Sequence, residues 1–123
     1  MRPLSVIVVQ SNAALTESLA NSLNRHFRVV KTAPDLPNLR DCIHQSHADV
    51  AIVDLEVAGV DEVRRLKQEF GGTTIVCTHR LANEQMWAAA LAAGASDCCY
   101  SSDVRAIVLA ATNTKFLAHT HAA

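Results

Sequence analysis

Short runs of β-branched residues alternate five times with segments whose apolar residues recur at helical spacing, a pattern that few folds accommodate. The strand-like runs are Ser5–Val9, Phe27–Lys31, Asp49–Val53 and Thr73–Cys77, with a weaker fifth at Asp97–Tyr100. Rich in Val and Ile and barely alternating, they read as strands buried on both faces. Between them Leu15, Leu19 and Leu23 recur every four residues, while Leu36, Leu39, Ile43 and then Val63, Leu66, Phe70 follow i, i+3, i+7. Met86, Trp87, Ala90 and Leu91 form a fourth stripe, and Val104, Ile107, Val108 and Ala111 a fifth. Asn12, Asp35, Asn83 and Ser102 or Asp103 stand where helix N-caps belong. Five βα units without an internal repeat or an intervening linker predict one α/β domain over residues 1–123, an open, doubly wound parallel sheet. From about Thr112 onward the periodicity fades, so 112–123 is expected to be a frayed tail, with any output domain lying beyond Ala123.

The length suits one domain with a sizeable apolar core. Half of the residues are hydrophobic but few are aromatic, so Ala, Val and Leu must fill that core. A formal net charge of −1 gives no electrostatic case for nucleic acid. The densest basic spot, Arg64, Arg65 and Lys67, is flanked by Glu62 and Glu69 and reads as a solvated helix face. Cys42, Cys77, Cys98 and Cys99 form no C-x-x-C pair and sit in apolar segments, which favours a reducing cytoplasm over a metal site or a disulfide framework. Cys98 and Cys99, adjacent on a strand, must face opposite sides of the sheet and read as small buried apolar residues, not a redox pair. No stretch reaches membrane-spanning length, and His119 and His121 are expected to lie in the tail without metal-binding partners.

In open α/β sheets the functional crevice lies beyond the carboxyl ends of the strands. The residues delivered there are Gln10, Ser11 and Asn12 after the first strand, Asp54 after the third, Thr78 and His79 after the fourth, and Ser101 after the fifth. One aspartate among neutral groups offers no catalytic triad, no glycine-rich phosphate loop and no paired carboxylates. A non-enzymatic role is therefore expected.

Three segments carry a family resemblance. Ala51-Ile-Val-Asp54-Leu-Glu-Val-Ala-Gly59-Val-Asp61 resembles the phosphoacceptor strand and loop of bacterial response-regulator receiver domains. Ile75-Val-Cys-Thr78 resembles their fourth strand, which ends in a phosphate-contacting Ser or Thr, and Ala92-Ala-Gly94-Ala95-Ser-Asp resembles the turn into the fifth. The resemblance covers essentially the whole chain and implies a flavodoxin-like (βα)5 fold with strand order 2-1-3-4-5. It makes Asp54 the phosphoacceptor candidate and Thr78 the phosphate-contact candidate.

The departures from the family pattern fall on the charges. Where receivers carry two acidic residues after the first strand this chain has Gln10 and Ser11, and where they carry a lysine after the fifth it has Ser101. Ala58 replaces the loop proline, bulky His79 follows Thr78, and Cys98 holds the aromatic switch position. Phosphoryl transfer depends on positioning and charge neutralisation, and Mg²⁺ needs carboxylates nearby. If the metal and the lysine were each worth only about 2–3 kcal/mol, losing both would slow transfer by roughly three to four orders of magnitude. The expectation is a pseudo-receiver that works through protein contacts, with no cofactor and no catalytic residue. The alternative is a weak phosphoacceptor served by a histidine kinase at Asp54. Asp54 is expected to cap backbone N–H groups, Thr78 to bond Asp54 or the loop, and His79 to be an exposed loop residue. The apolar excess around Met86 and Trp87 suggests a homodimer through the face made by the fourth helix, fifth strand and fifth helix.

Overall fold

The computed structural model describes residues 4–112. The strands are β1 (Ser5–Val9), β2 (Val29–Thr32), β3 (Val50–Asp54), β4 (Thr74–His79) and β5 (Asp97–Tyr100). The helices are α1 (Ala13–Leu23), α2 (Leu36–Ser46), α3 (Val60–Glu69) and α4 (Glu84–Ala92), followed by a fifth, α5, helical over 104–112. All pairings are parallel and the strand order is β2-β1-β3-β4-β5, as expected. Phe116, His119 and His121, with the rest of the tail expected to fray, lie outside the described residues.

Alternation along the strands sends side chains to two cores. Ile7, Val9, Ala51, Val53, Ile75, Cys77 and Cys98 face α2, α3 and α4, where Leu39, Ile43, Val63, Leu66 and Ala90 meet them. Val6, Val8, Val50, Ile52, Val76 and Cys99 face α1 and α5, packing on Leu19, Leu23 and Ile107. Cys98 and Cys99 thus lie on opposite faces, both buried. Burial pushes the Cys77 and Cys99 thiols up to about 12, far from the reactive thiolate range.

Three expectations need correction. The second strand begins at Val29, two residues later than expected, and is exposed along most of its length because the strand order puts it at an edge. Phe27 precedes it and is buried in the α1–α5 core. Two of the helical stripes are only partly inside: Leu15 is exposed, and Ala90 is the one fully buried residue of α4. Asp54 does not follow the third strand, nor Thr78 and His79 the fourth; they end them, because the parallel ladder continues through the pairs Asp54↔Thr78 and His79↔Tyr100.

Local chemistry sets the helix starts. The side chains of Asn12, Asp35 and Asn83 accept from the backbone N–H groups of Leu15, Asn38 and Met86, and Asp103 does the same for Ala106. Two arginines of the basic spot on α3 pair within the helix, Arg64 with Asp61 and Arg65 with Glu62. Lys67 lies elsewhere. Its ammonium donates to the carbonyls of Gly71 and Thr73, and its stem packs on the backbone of Gly94.

Gly94 has φ +108°, and a Cβ there would sit 2.7 Å from Lys67 Cγ. Gly94→Ala is therefore expected to lower stability by about 1–3 kcal/mol. Gly59→Ala, where the added methyl meets nothing within 4 Å, should cost less. Urea denaturation of the two variants checks the difference.

Candidate functional site

The carboxyl ends of β1, β3 and β4 bring Gln10, Asp54 and Thr78 together in the interior, at 4%, 1% and 0% exposure. Gln10 immediately follows β1 and its backbone N–H donates to Thr16 Oγ1 at 3.0 Å, which fixes the exit of the strand. Its side-chain amide donates to the Val9 carbonyl at 3.0 Å and to Thr78 Oγ1 at 3.1 Å. Because β3 lies between β1 and β4, this last bond passes over the end of the strand that carries Asp54. The Thr78 hydroxyl therefore serves Gln10 and not Asp54 or the loop, contrary to expectation. A glutamine amide reaches it because Gln10 has no charge to keep in solvent and is buried at full length.

Asp54 caps backbone as expected, accepting from the Glu56 N–H at 2.8 Å. Burial raises its pKa above the ordinary carboxylate value, and the nearby Glu56 charge adds to the shift. The Glu56 N–H bond opposes burial more strongly than that charge supports it, and His79 and the Ser11 N–H oppose it less, but burial outweighs them. Ser11 itself is exposed.

His79 is not an exposed loop residue. It ends β4 with a side chain only 15% exposed, its Nε2 3.6 Å from Glu56 Oε1, while its Nδ1 accepts from the Leu81 N–H at 2.9 Å. That bond leaves the proton on Nε2, facing Glu56. Ser101 follows β5 and its N–H donates to the His79 carbonyl at 3.1 Å, but its buried hydroxyl has no hydrogen-bond partner among the described residues.

Two residues went unnoticed in the sequence. Glu56 lies just past Asp54, and Arg80, the residue after β4, reaches it, Nε to Oε1 at 2.7 Å. The Arg80 guanidinium is near enough to Asp54 to feel its charge. Since Asp54 and Thr78 pair in register, residues two positions beyond each leave neighbouring strands at the same offset. Opposite charges at that offset were the available signal.

No family model matches the sequence, and no curated protein shows significant sequence similarity to it. Solved structures do. A response regulator from Thermotoga maritima superposes with a TM-score of 0.81 at 16% identity, over 92% of this chain and 98% of that one. The chain has the receiver fold. A Burkholderia pseudomallei response regulator, solved with a phosphorylated aspartic acid, calcium ion and citrate, gives 0.78 at 19% identity over 97% of this chain and 73% of its own. A LuxR-family two-component response regulator from Aurantimonas gives 0.76 at 21%, over 87% and 81%. Within this receiver fold Asp54 ends β3 and Thr78 falls beside it on β4, the positions that the resemblance assigns to acceptor and phosphate contact. No helix among the described residues is long and apolar enough to cross a membrane.

The raised Asp54 pKa has a stability consequence of definite sign. Its folded value lies above its unfolded one, so the folded chain holds the proton more tightly. The carboxyl therefore favours folding at low pH, and that advantage is lost as pH rises from the unfolded value through the folded one. Asp54→Asn, which keeps an acceptor for the Glu56 N–H, should be more stable than the parent at pH 7. The gain should vanish below the ordinary carboxyl value of 3.8. Thermal melts across that range provide the measurement.

Proposed function

We infer that the chain is a receiver-fold interaction module whose conformation is not set by aspartyl phosphate and which catalyses no reaction. The Gln10–Thr78 bond carries this reading: the hydroxyl that would have to turn toward a phosphoryl group on Asp54 already holds a buried partner. Any displacement would leave the buried Gln10 amide one bond short, a cost that a bound phosphate would have to exceed.

The donor set does not suit Mg²⁺. Asp54 is a carboxylate that burial disfavours in its charged form, Glu56 is committed to Arg80, and Gln10 and Ser11 are neutral. Among the described residues no group of three or more His, Cys, Asp and Glu converges on a point that could take a metal. Four free cysteines suit a reducing cytoplasm. The partner is another protein or an output domain joined to this one.

A second reading, weak phosphoacceptance at Asp54, draws support from Arg80, a cation near Asp54 that stands in a different place from the family lysine. One experiment separates the two. In an amide chemical-shift titration with millimolar Mg²⁺ and beryllofluoride, the interaction-module reading expects no saturable change. Shifts clustered on Asp54, Thr78 and α4 that disappear in Asp54→Ala would establish phosphoacceptance instead.

The docking face lies on α4, β5 and α5, and its occupant is a second copy of the chain. Trp87, Tyr100 and Leu109 are each about half exposed on these consecutive elements, and Trp87 is held in place by its Nε1 bond to Asp97 at 2.9 Å. Rigid, half-exposed aromatics bury apolar area at little entropic cost. Light scattering should show a dimer at micromolar concentration and a monomer for Trp87→Glu; a parent chain that stays monomeric at high concentration removes the dimer.

A further inference from the structure

A crevice of about 440 Å³ opens between α1 and the start of α5, and Asp54 is not among the residues that line it. Its floor is apolar, made by Leu19, Val104 and Leu15, the last left 42% exposed although it belongs to the helix's apolar stripe. Ser18 and Ser22, one turn apart on α1, line one side, the Ser22 hydroxyl donating to the Ser18 carbonyl at 3.1 Å and keeping its oxygen as an acceptor, and Ser101 also lines the space. The Ser101 hydroxyl is the buried side-chain group left without a partner among the described residues, and a rotation about χ1 would turn it to a ligand.

Arg80 is the one charged residue lining this space. Its Nε is engaged by Glu56, while its two terminal nitrogens make no hydrogen bond among the described residues. An apolar floor with a few convergent polar groups and a single cation, in a volume of this size, is the make-up of a small-molecule site. A planar guanidinium with free nitrogens selects an oxyanion that accepts two bonds side by side.

We propose that this crevice binds a small organic anion, its carboxylate or phosphonate-like head on Arg80 and the Ser18 and Ser101 hydroxyls and its compact apolar body on Leu15, Leu19 and Val104. The anion takes the terminal nitrogens of Arg80 while Glu56 holds Nε, and the Glu56 charge opposes it. Gln10 also lines the crevice, and its amide holds Thr78. The crevice is thus lined by two residues that neighbour Asp54 or its partner Thr78, which gives the domain an input other than phosphate. The site stands whether or not a second copy docks on the α4–β5–α5 face.

Amide chemical-shift titrations of the full chain with benzoate and with phenylphosphonate, neither of which donates a phosphoryl group, test the proposal against uncharged benzyl alcohol. Both anions should give saturable shifts on Ser18, Ser101 and Val104 in the millimolar range, binding at least about tenfold more tightly than the alcohol. Arg80→Gln should reduce the anions to the level of the alcohol. Glu56→Gln, which releases the guanidinium, should tighten them. Leu15→Asp, on the exposed side of α1, should abolish anion binding, and circular dichroism checks that each variant is folded. Anions that bind no better than the alcohol, shifts centred elsewhere, absence of saturation, or affinity indifferent to Arg80→Gln would each overturn the site.

Discussion

Every feature of this domain hangs on the two-sided burial of β3. All five of its residues are inside, including Asp54, and its neighbours β1 and β4 pair with it along its length. A parallel strand covered by helices on both faces must satisfy its backbone within the ladder, since no water reaches it. The ladder therefore runs to the last residue, and a polar group placed there is drawn inside with it. The same constraint that makes the core leaves Asp54 and Thr78 buried and forces their polar atoms to find protein partners.

How they find them distinguishes the chemistry of this crevice. A site with several carboxylates is made for a hard cation, and the cation settles the acids. Here neutral Gln10 bonds the threonine, and the charges have moved outward to Glu56 and Arg80, which neutralise one another, with the His79 ring beside Glu56. An ion pair whose arginine stands largely in solvent contributes little to stability. Its effect is on the field around Asp54, which stays modest enough for burial to dominate its titration.

The fold was legible in the sequence because its determinants are local or periodic. Runs of Val and Ile marked the strands, four-residue spacings marked the helices, and Asn12, Asp35, Asn83 and Asp103 cap helices through bonds to the third residue on. The exposure of β2 was not legible, since a Val-Val run is the same at an edge as at the centre and only the strand order decides. The site was half legible. The positions of Asp54 and Thr78 followed from the strand ends, but the Gln10–Thr78 bond joins residues 68 apart in sequence, and nothing in the spacing of either residue encodes the other. The Glu56–Arg80 pair needed the register of β3 against β4, which the alternation of strands and helices does not give.

The cysteines of the inner sheet have a practical corollary. Cys77 and Cys98 stand opposite each other on β4 and β5, and Cys99 faces the other core, all three buried with raised thiol pKa values. A thiol-alkylating reagent reaches such groups only when the strands that hold them separate. Cys42, half-buried on α2, is the most accessible of the four. The chain thus carries its own clock for the opening of the β4–β5 edge, read by mass spectrometry as the lag between the first alkylation and the rest.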